Sequence, residues 1–326
     1  MEQGQLLNHL FERLDQSATL LEKEEEISYL EALCLTVDNI CNGEIKQEIL
    51  KDQLTPIYDA FFIEGMTAED VRKAFQLALL KGMKQASQPQ HQMTPDGIAL
   101  FISYLMDKLE LPEAYSLLDP AIGTANLMTT VMNHVQNKPK LAMGVEIDDL
   151  LINLAHANIN LQQQEIELFH QDALRPLMMS PIDVIITDLP VGTYYNKEIA
   201  KGFRVGKGEE PFSHFLLIEQ ALNYLKPAGY FIGLIPNQLF TADVEGSLHQ
   251  LIRDEADILA FIELPESTFK DSRHAKSILV LQKKGEDRVQ PEDALLVKLP
   301  SFKDRQAMAK MIARIDAWFR EKNNKV

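Results

Sequence analysis

Four short segments between residues 119 and 191 carry side chains suited to gripping a nucleotide. The first is Asp119-Pro120-Ala121-Ile122-Gly123-Thr124-Ala125-Asn126-Leu127, which follows the apolar pair Leu117-Leu118 and leads into a helix-like stretch at 128–132. A carboxylate, a tight turn and a helix start offer free N–H groups, and glycine lets backbone approach a ligand closely. The second is Glu146-Ile147, closing the run 141–145. An acidic residue about 20 positions beyond such a loop is placed to accept from ribose hydroxyls. The third, His170-Gln171-Asp172-Ala173-Leu174, puts Asp172 where it can accept from an exocyclic adenine amine. The fourth, Asp188-Leu189-Pro190-Val191, follows the run 183–187. Each alone is ordinary, since strand-end carboxylates are commonly just solvated and the loop lacks the three glycines of a dinucleotide fingerprint. In this order and spacing, the four form a nucleotide-binding constellation.

Positioning them requires a sheet. Strand-like runs at 116–118, 141–145, 184–187, 230–235, 258–263 and 277–282 alternate with helix-like runs at 127–135, 150–161 and 214–225. Short strands separated by helices predict an α/β fold, Rossmann-like and mostly parallel, with ligands beyond the carboxyl ends of the strands. The last two strands have no helix between them and read as an antiparallel hairpin at one edge. The tail carries Met308, Met311, Ile312, Ile315, Trp318 and Phe319, an amphipathic helix expected to pack back on the body.

Upstream, residues 1 to about 85 read as wholly helical. Leu6, Leu7, Leu10, Phe11 and Leu14 recur at helical spacing, as do Ile27, Leu30, Leu33, Cys34, Val37, Ile40 and Cys41. Thr67 with Asp70 marks a helix start. Nothing in this stretch suggests chemistry, so a bundle is expected that covers the next domain or pairs with a protein partner or a second copy. Residues 87–92 are polar and read as a linker, giving an all-α domain at 1–88 and an α/β domain at 89–326. Thr94 is the expected N-cap of the next helix, with Pro95 at its first position.

Hydrophobic residues make up 46% of the 326, enough for a sizeable core, and the formal net charge is −16. That balance opposes indiscriminate nucleic-acid binding, which rests on phosphate neutralisation. Lys197, Lys201, Arg204 and Lys207 form the best local basic cluster, although a solvated loop is the plainer explanation for them. Cys34 and Cys41, seven apart on one helix face, are expected to be reduced core residues, which fits a cytoplasmic protein. No apolar run approaches a membrane span, no signal peptide is visible, and no metal ligand set is assigned.

Four matches give these segments a family likeness. His91-Gln92-Met93-Thr94-Pro95 is similar to an aromatic-Thr-Pro segment, and residues 119–127 to an Asp-Pro-x-x-Gly-x-Gly loop. Asp188 to Val191 stands in the place of an (Asn/Asp)-Pro-Pro-(Tyr/Phe) motif, and residues 262–269 followed by 277–281 match a late strand-loop-strand segment. Over roughly residues 90–285 the chain therefore resembles the class I S-adenosylmethionine-dependent methyltransferases. Among these it is nearest the adenine-specific DNA methylases that include type I modification subunits, and especially a compact bacterial YtxK-like group.

The resemblance implies S-adenosylmethionine as cofactor, held by Met93, Thr94, Pro95, Asp119, Ala121, Gly123, Thr124, Asn126, Leu127, Glu146, Ile147, Asp172, Ala173 and Asp188. It implies adenine-N6 transfer to DNA at Asp188, Leu189, Pro190 and Val191. The chain departs from the pattern at three points. Val191 replaces an aromatic that would stack on the flipped base, Leu189 replaces a proline, and Ala125 replaces a glycine, tolerable if its φ is negative. Tyr194 and Tyr195 are candidates to stack instead, with Lys197 and Arg204 as weaker substrate contacts. RNA, protein or a small molecule remain alternative substrates, as does a non-catalytic cofactor binder. A nucleotide-dependent oxidoreductase is opposed by the missing loop glycines.

Overall fold

The computed structural model describes residues 3–85, 93–269, 275–286 and 293–323, so the expected linker and His91-Gln92 lie outside the described residues. Along the chain run α1 (Gln3–Glu24), α2 (Tyr29–Asn42), α3 (Lys51–Asp59), α4 (Ala68–Gln85), α5 (Asp96–Met106), β1 (Ser116–Asp119), α6 (Asn126–His134), β2 (Leu141–Glu146), α7 (Asp149–Leu161), β3 (Glu167–His170) and β4 (Ile182–Asp188). There follow α8 (Lys197–Ala200), α9 (Ser213–Tyr224), β5 (Leu225–Pro236), α10 (Leu239–Ala242), α11 (Ser247–Glu255), β6 (Ala256–Glu263), β7 (Lys276–Lys283), β8 (Leu295–Lys298) and α12 (Arg305–Asn323).

Two compact units emerge. The first joins Met1–Leu100 with Ile122–Val135 and Glu146–His170. Its core is built by the apolar stripes of α1 to α4, including Leu10, Leu14, Leu33, Phe75 and Leu79, by Phe61 just after α3, and by Leu154, Ala157 and Leu161 of α7. The helical bundle is thus continuous with the helix that follows β2. Sharp caps set its helices. Ser28 and Glu31 form a reciprocal capping box before α2. Thr67 and Asp70 do the same before α4, with Asp70 N donating to Thr67 Oγ1 at 3.2 Å and Thr67 N to Asp70 Oδ2 at 3.1 Å. Helix α5 starts one residue later than expected: the Pro95 carbonyl accepts from Ile98 and Ala99, so Pro95 itself takes the cap position. Cys41 is exposed rather than in the core, because it lies at the α2 terminus. Cys34 is partly buried, and burial pushes its thiol up to about 12.

The second unit, Phe101–Ala121, Gln136–Val145 and Gln171–Val326, carries most of the sheet. The eight strands run in the order β3-β2-β1-β4-β5-β7-β6-β8. The pairs β1–β2, β1–β4 and β4–β5 are parallel. The two late strands are antiparallel as expected, but they do not end the sheet. Strand β7 inserts between β5 and β6, antiparallel to both, and β8 adds a parallel edge beside β6. In α12, Ile315 and Phe319 are buried, and Asp316 accepts from Tyr104 Oη at 2.8 Å and pairs with Lys108 at 2.8 Å. Among the described residues no helix is long and apolar enough to cross a membrane.

Candidate functional site

The first unit holds the glycine loop. Gly123 has φ +56° and its open side meets nothing within 4 Å, so it can be approached closely. Its N–H donates to Glu146 Oε2 at 2.9 Å, while Glu146 Oε1 accepts from Ile147 N at 2.8 Å and Asp148 N at 2.9 Å. Ile147 itself is 51% exposed, an uncovered apolar side chain beside that carboxylate. Ala125 has φ +62°, not the negative value expected, and is fully buried. A left-handed alanine costs about 1–2 kcal/mol, so its surroundings must hold it. They do so at both flanks: Asn126 Nδ2 donates to the Thr94 carbonyl at 2.8 Å and Asn158 Nδ2 to the Thr124 carbonyl at 2.9 Å. Leu127 is buried, Met93 packs against the bundle core, and Pro95 is exposed.

In the second unit, Asp119 is 1% exposed at the end of β1, and its Oδ1 accepts from Ala121 N at 3.0 Å. Asp172 is largely committed to its own surroundings. Its Oδ1 accepts from Leu174 N at 3.0 Å, and its Oδ2 from Tyr194 Oη at 2.5 Å and Tyr195 Oη at 3.3 Å. Tyr194 is buried, and burial plus the Asp172 carboxylate raise its phenol well above the ordinary range, so it stays protonated. It is therefore not an exposed ring for stacking, which corrects that expectation; Tyr195, 68% exposed, retains a free face. Ala173 is buried, with its carbonyl accepting from Gln220.

The fourth segment has an unforeseen partner. Strand β7 runs against β5 with Lys276 opposite Pro236, while Asp188 of β4 stands opposite Leu234. Lys276 therefore begins its strand where β4 ends. Its ammonium pairs with Asp188 Oδ1 and donates to the Leu189 carbonyl at 3.4 Å. Leu189 is buried, whereas Pro190 and Val191 are exposed. Arg204, a weak candidate for substrate contact beside the plainer reading of a solvated loop, pairs with Asp254 at 2.6 Å and Glu255 at 3.4 Å, and Lys201 with Glu198 at 2.5 Å. Lys197 and Lys207 are exposed.

Comparison with known proteins decides the lineage. Residues 79–325 match the N-6 DNA methylase family, and residues 8–83 match the YtxK N-terminal helical domain. The chain belongs to the N-6 DNA methylase family. It is 45% identical over 319 residues to the uncharacterised protein YtxK of Bacillus subtilis, covering 96% of this chain and 97% of that one. A structure from Listeria monocytogenes, described provisionally as a class I S-adenosylmethionine-dependent methyltransferase, is 41% identical. It superposes with a TM-score of 0.90 over 97% of this chain and 99% of its own. The methyltransferase subunit of a type I restriction-modification system from Streptococcus thermophilus shares the fold, with a TM-score of 0.64 at 13% identity over 98% of this chain and 87% of its own.

Lys276 escaped the sequence reading because nothing local marks it: it is one basic residue before an apolar strand, 88 positions from Asp188. Arg72, Asn126 and Asn158 form a buried polar set around the loop. The one signal for it was a charged residue inside the apolar stripe of α4.

Proposed function

We propose that this protein transfers a methyl group from S-adenosylmethionine to the exocyclic N6 amine of adenine in DNA. The observation that carries this is the convergence of Asp188 Oδ1 and the Leu189 carbonyl on a single primary nitrogen, Lys276 Nζ. An adenine amine is a poor nucleophile because its lone pair is delocalised into the ring. Two acceptors, one for each N–H, favour the pyramidal geometry that releases the lone pair, and the strand end already holds a nitrogen in that way. The target amine takes these acceptors when Lys276 swings off them. Asp188 then stabilises the positive charge that develops on the amine and is placed to accept its proton. The remaining contribution is positioning of the two reactants. A base in a duplex must first be flipped out, and Tyr195 is the exposed ring near Asp188 in sequence that can receive it.

S-adenosylmethionine is the cofactor of this methyltransferase class and supplies, when bound, a methyl group on a sulfonium. The residues present fit it. A carboxylate offers about four acceptor directions. Glu146 uses three of them on Gly123, Ile147 and Asp148, and Asp172 uses three on Leu174, Tyr194 and Tyr195. Each keeps one direction, and in the first unit that of Glu146 suits a ribose hydroxyl. Exposed Ile147 offers an apolar face to a purine, and the open side of Gly123 admits close approach.

A second reading has its own support. With Lys276 already on the acceptor pair and an aliphatic Val191, the chain could bind cofactor without turnover. Labelled methyl transfer to unmethylated duplex DNA, with total RNA in parallel and Asp188→Ala as control, separates the two. N6-methyladenine in DNA that vanishes in the variant supports the proposal. Label in RNA alone changes the substrate, and cofactor binding with no label in either favours the non-catalytic reading.

A further inference from the structure

The largest fully buried side chain among the described residues is Arg72 of α4, a cation within the stripe of Val71, Ala74, Phe75, Ala78 and Leu79. Burying a guanidinium is costly unless every donor is satisfied. Here all five are. Nε and Nη2 grip Glu69 at 2.7 Å each, Nη1 and Nη2 reach Asp96 at 3.1 and 2.9 Å, and Nη1 donates to Asn126 Oδ1 at 2.9 Å.

From this hub two hydrogen-bond chains run to the glycine loop. One is direct: with its oxygen held by Arg72, the Asn126 amide must point its nitrogen at the Thr94 carbonyl, 2.8 Å away. The other passes from Glu69 to Asn133 (3.1 Å), to Gln162 (3.0 Å), to Asn158 (2.7 Å) and on to the Thr124 carbonyl (2.9 Å). The two left-handed residues, Gly123 and Ala125, flank Thr124. Strained backbone persists only where its surroundings over-determine it, and this network supplies that constraint from the N-terminal bundle.

We propose that Arg72 is a positioning residue for the loop at residues 122–127, and that through it the N-terminal helical bundle sets cofactor affinity. The affinity part rests on the cofactor reading given above; the positioning part does not. Both are tested on the full chain with Arg72→Met, Arg72→Lys and Asn126→Ala. The control is Leu33→Ala, which thins the core of the same bundle without touching the network. Calorimetric titration with S-adenosylmethionine is expected to show Arg72→Met weakened about tenfold, the lower end of what is lost when the partner orienting a metal-ligating side chain is removed. Arg72→Lys should fall between, and Leu33→Ala should bind as the wild type despite a lower Tm.

Hydrogen exchange of the peptide 119–127 without cofactor reads the positioning directly. Protection should fall in Arg72→Met and Asn126→Ala but hold in Leu33→Ala. Wild-type exchange in both network variants overturns the proposal, as does Leu33→Ala losing loop protection in step with its Tm. If the wild type binds no S-adenosylmethionine while exchange responds as expected, the cofactor reading fails and the positioning role stands.

Discussion

His214 offers a sharp test of how this interior is wired. It lies in the first turn of α9 with 3% of its surface exposed, stacked on Phe212 at 5.2 Å and edge-on to Phe215 at 5.0 Å. Its Nδ1 is buried without a hydrogen-bond partner among the described residues. Burial first, and the Lys276 ammonium second, lower its pKa from 6.5 to about 4. The unfolded chain therefore takes up a proton near pH 6.5 that the folded chain refuses until about pH 4. This stability is fully present above pH 6.5 and drains away as the pH falls towards 4. At about 1.4 kcal/mol per pH unit, the full loss is about 3 kcal/mol, of which about 2 kcal/mol is gone by pH 5. Asp96, Asp183, Asp243 and Asp316 behave differently. Their pKa values lie below the ordinary carboxylate range, so their share is lost only at lower pH. Urea unfolding of the wild type and His214→Phe at pH 7.5 and 5.0 isolates the effect. The wild type should lose about 2 kcal/mol more than the variant between the two pH values. Equal losses would refute a buried neutral imidazole.

Other outcomes follow from the same geometry. Lys276→Met removes one competitor for the acceptor pair and should raise kcat/KM for DNA with cofactor affinity unchanged; a fall would instead make Lys276 a residue that holds Asp188 in place. Glu146→Ala strips the acceptor from three backbone N–H groups, so calorimetry should show lost cofactor binding and urea unfolding a penalty of about 1–3 kcal/mol. Tyr195→Ala should weaken binding of single-stranded, adenine-containing DNA by about 1–3 kcal/mol if its exposed ring stacks on the base, as read by fluorescence anisotropy. Tyr194→Phe removes only a hydroxyl already given to Asp172 and should leave that binding unchanged.

What the chain disclosed by itself depended on range. Strands β1, β2 and β4 are apolar runs closed by a carboxylate, so both their existence and the placement of Asp119, Glu146 and Asp188 were legible. Strand β3 was missed because Glu167–His170 is four residues long with no buried face, and β8 because only two residues of the short Leu295–Lys298 are buried. The insertion of β7 between β5 and β6 left no local trace, since strand order is a matter of tertiary pairing. The commitment of Tyr194 to Asp172 spans 22 positions and that of Arg72 to Asn126 spans 54, distances at which no periodicity speaks.

The alanine in the loop shows what these long-range contacts do to its backbone. Read locally, Ala125 in place of a glycine looks like a damaged cofactor loop. In the fold it adopts the left-handed conformation that glycine would have supplied, with its N–H donating to the Ile122 carbonyl at 2.9 Å and its methyl fully buried. An alanine is stable there only because its neighbours leave it no alternative: Thr124 is held by Asn158, Asn126 by Arg72, and Gly123 by Glu146. The conformational preference that glycine would have provided in one residue is thus supplied by a polar network reaching into α4. On this argument the helical bundle and the loop must vary together, and a substitution at Arg72 should be felt more strongly here than in a protein whose loop carries glycine at that position.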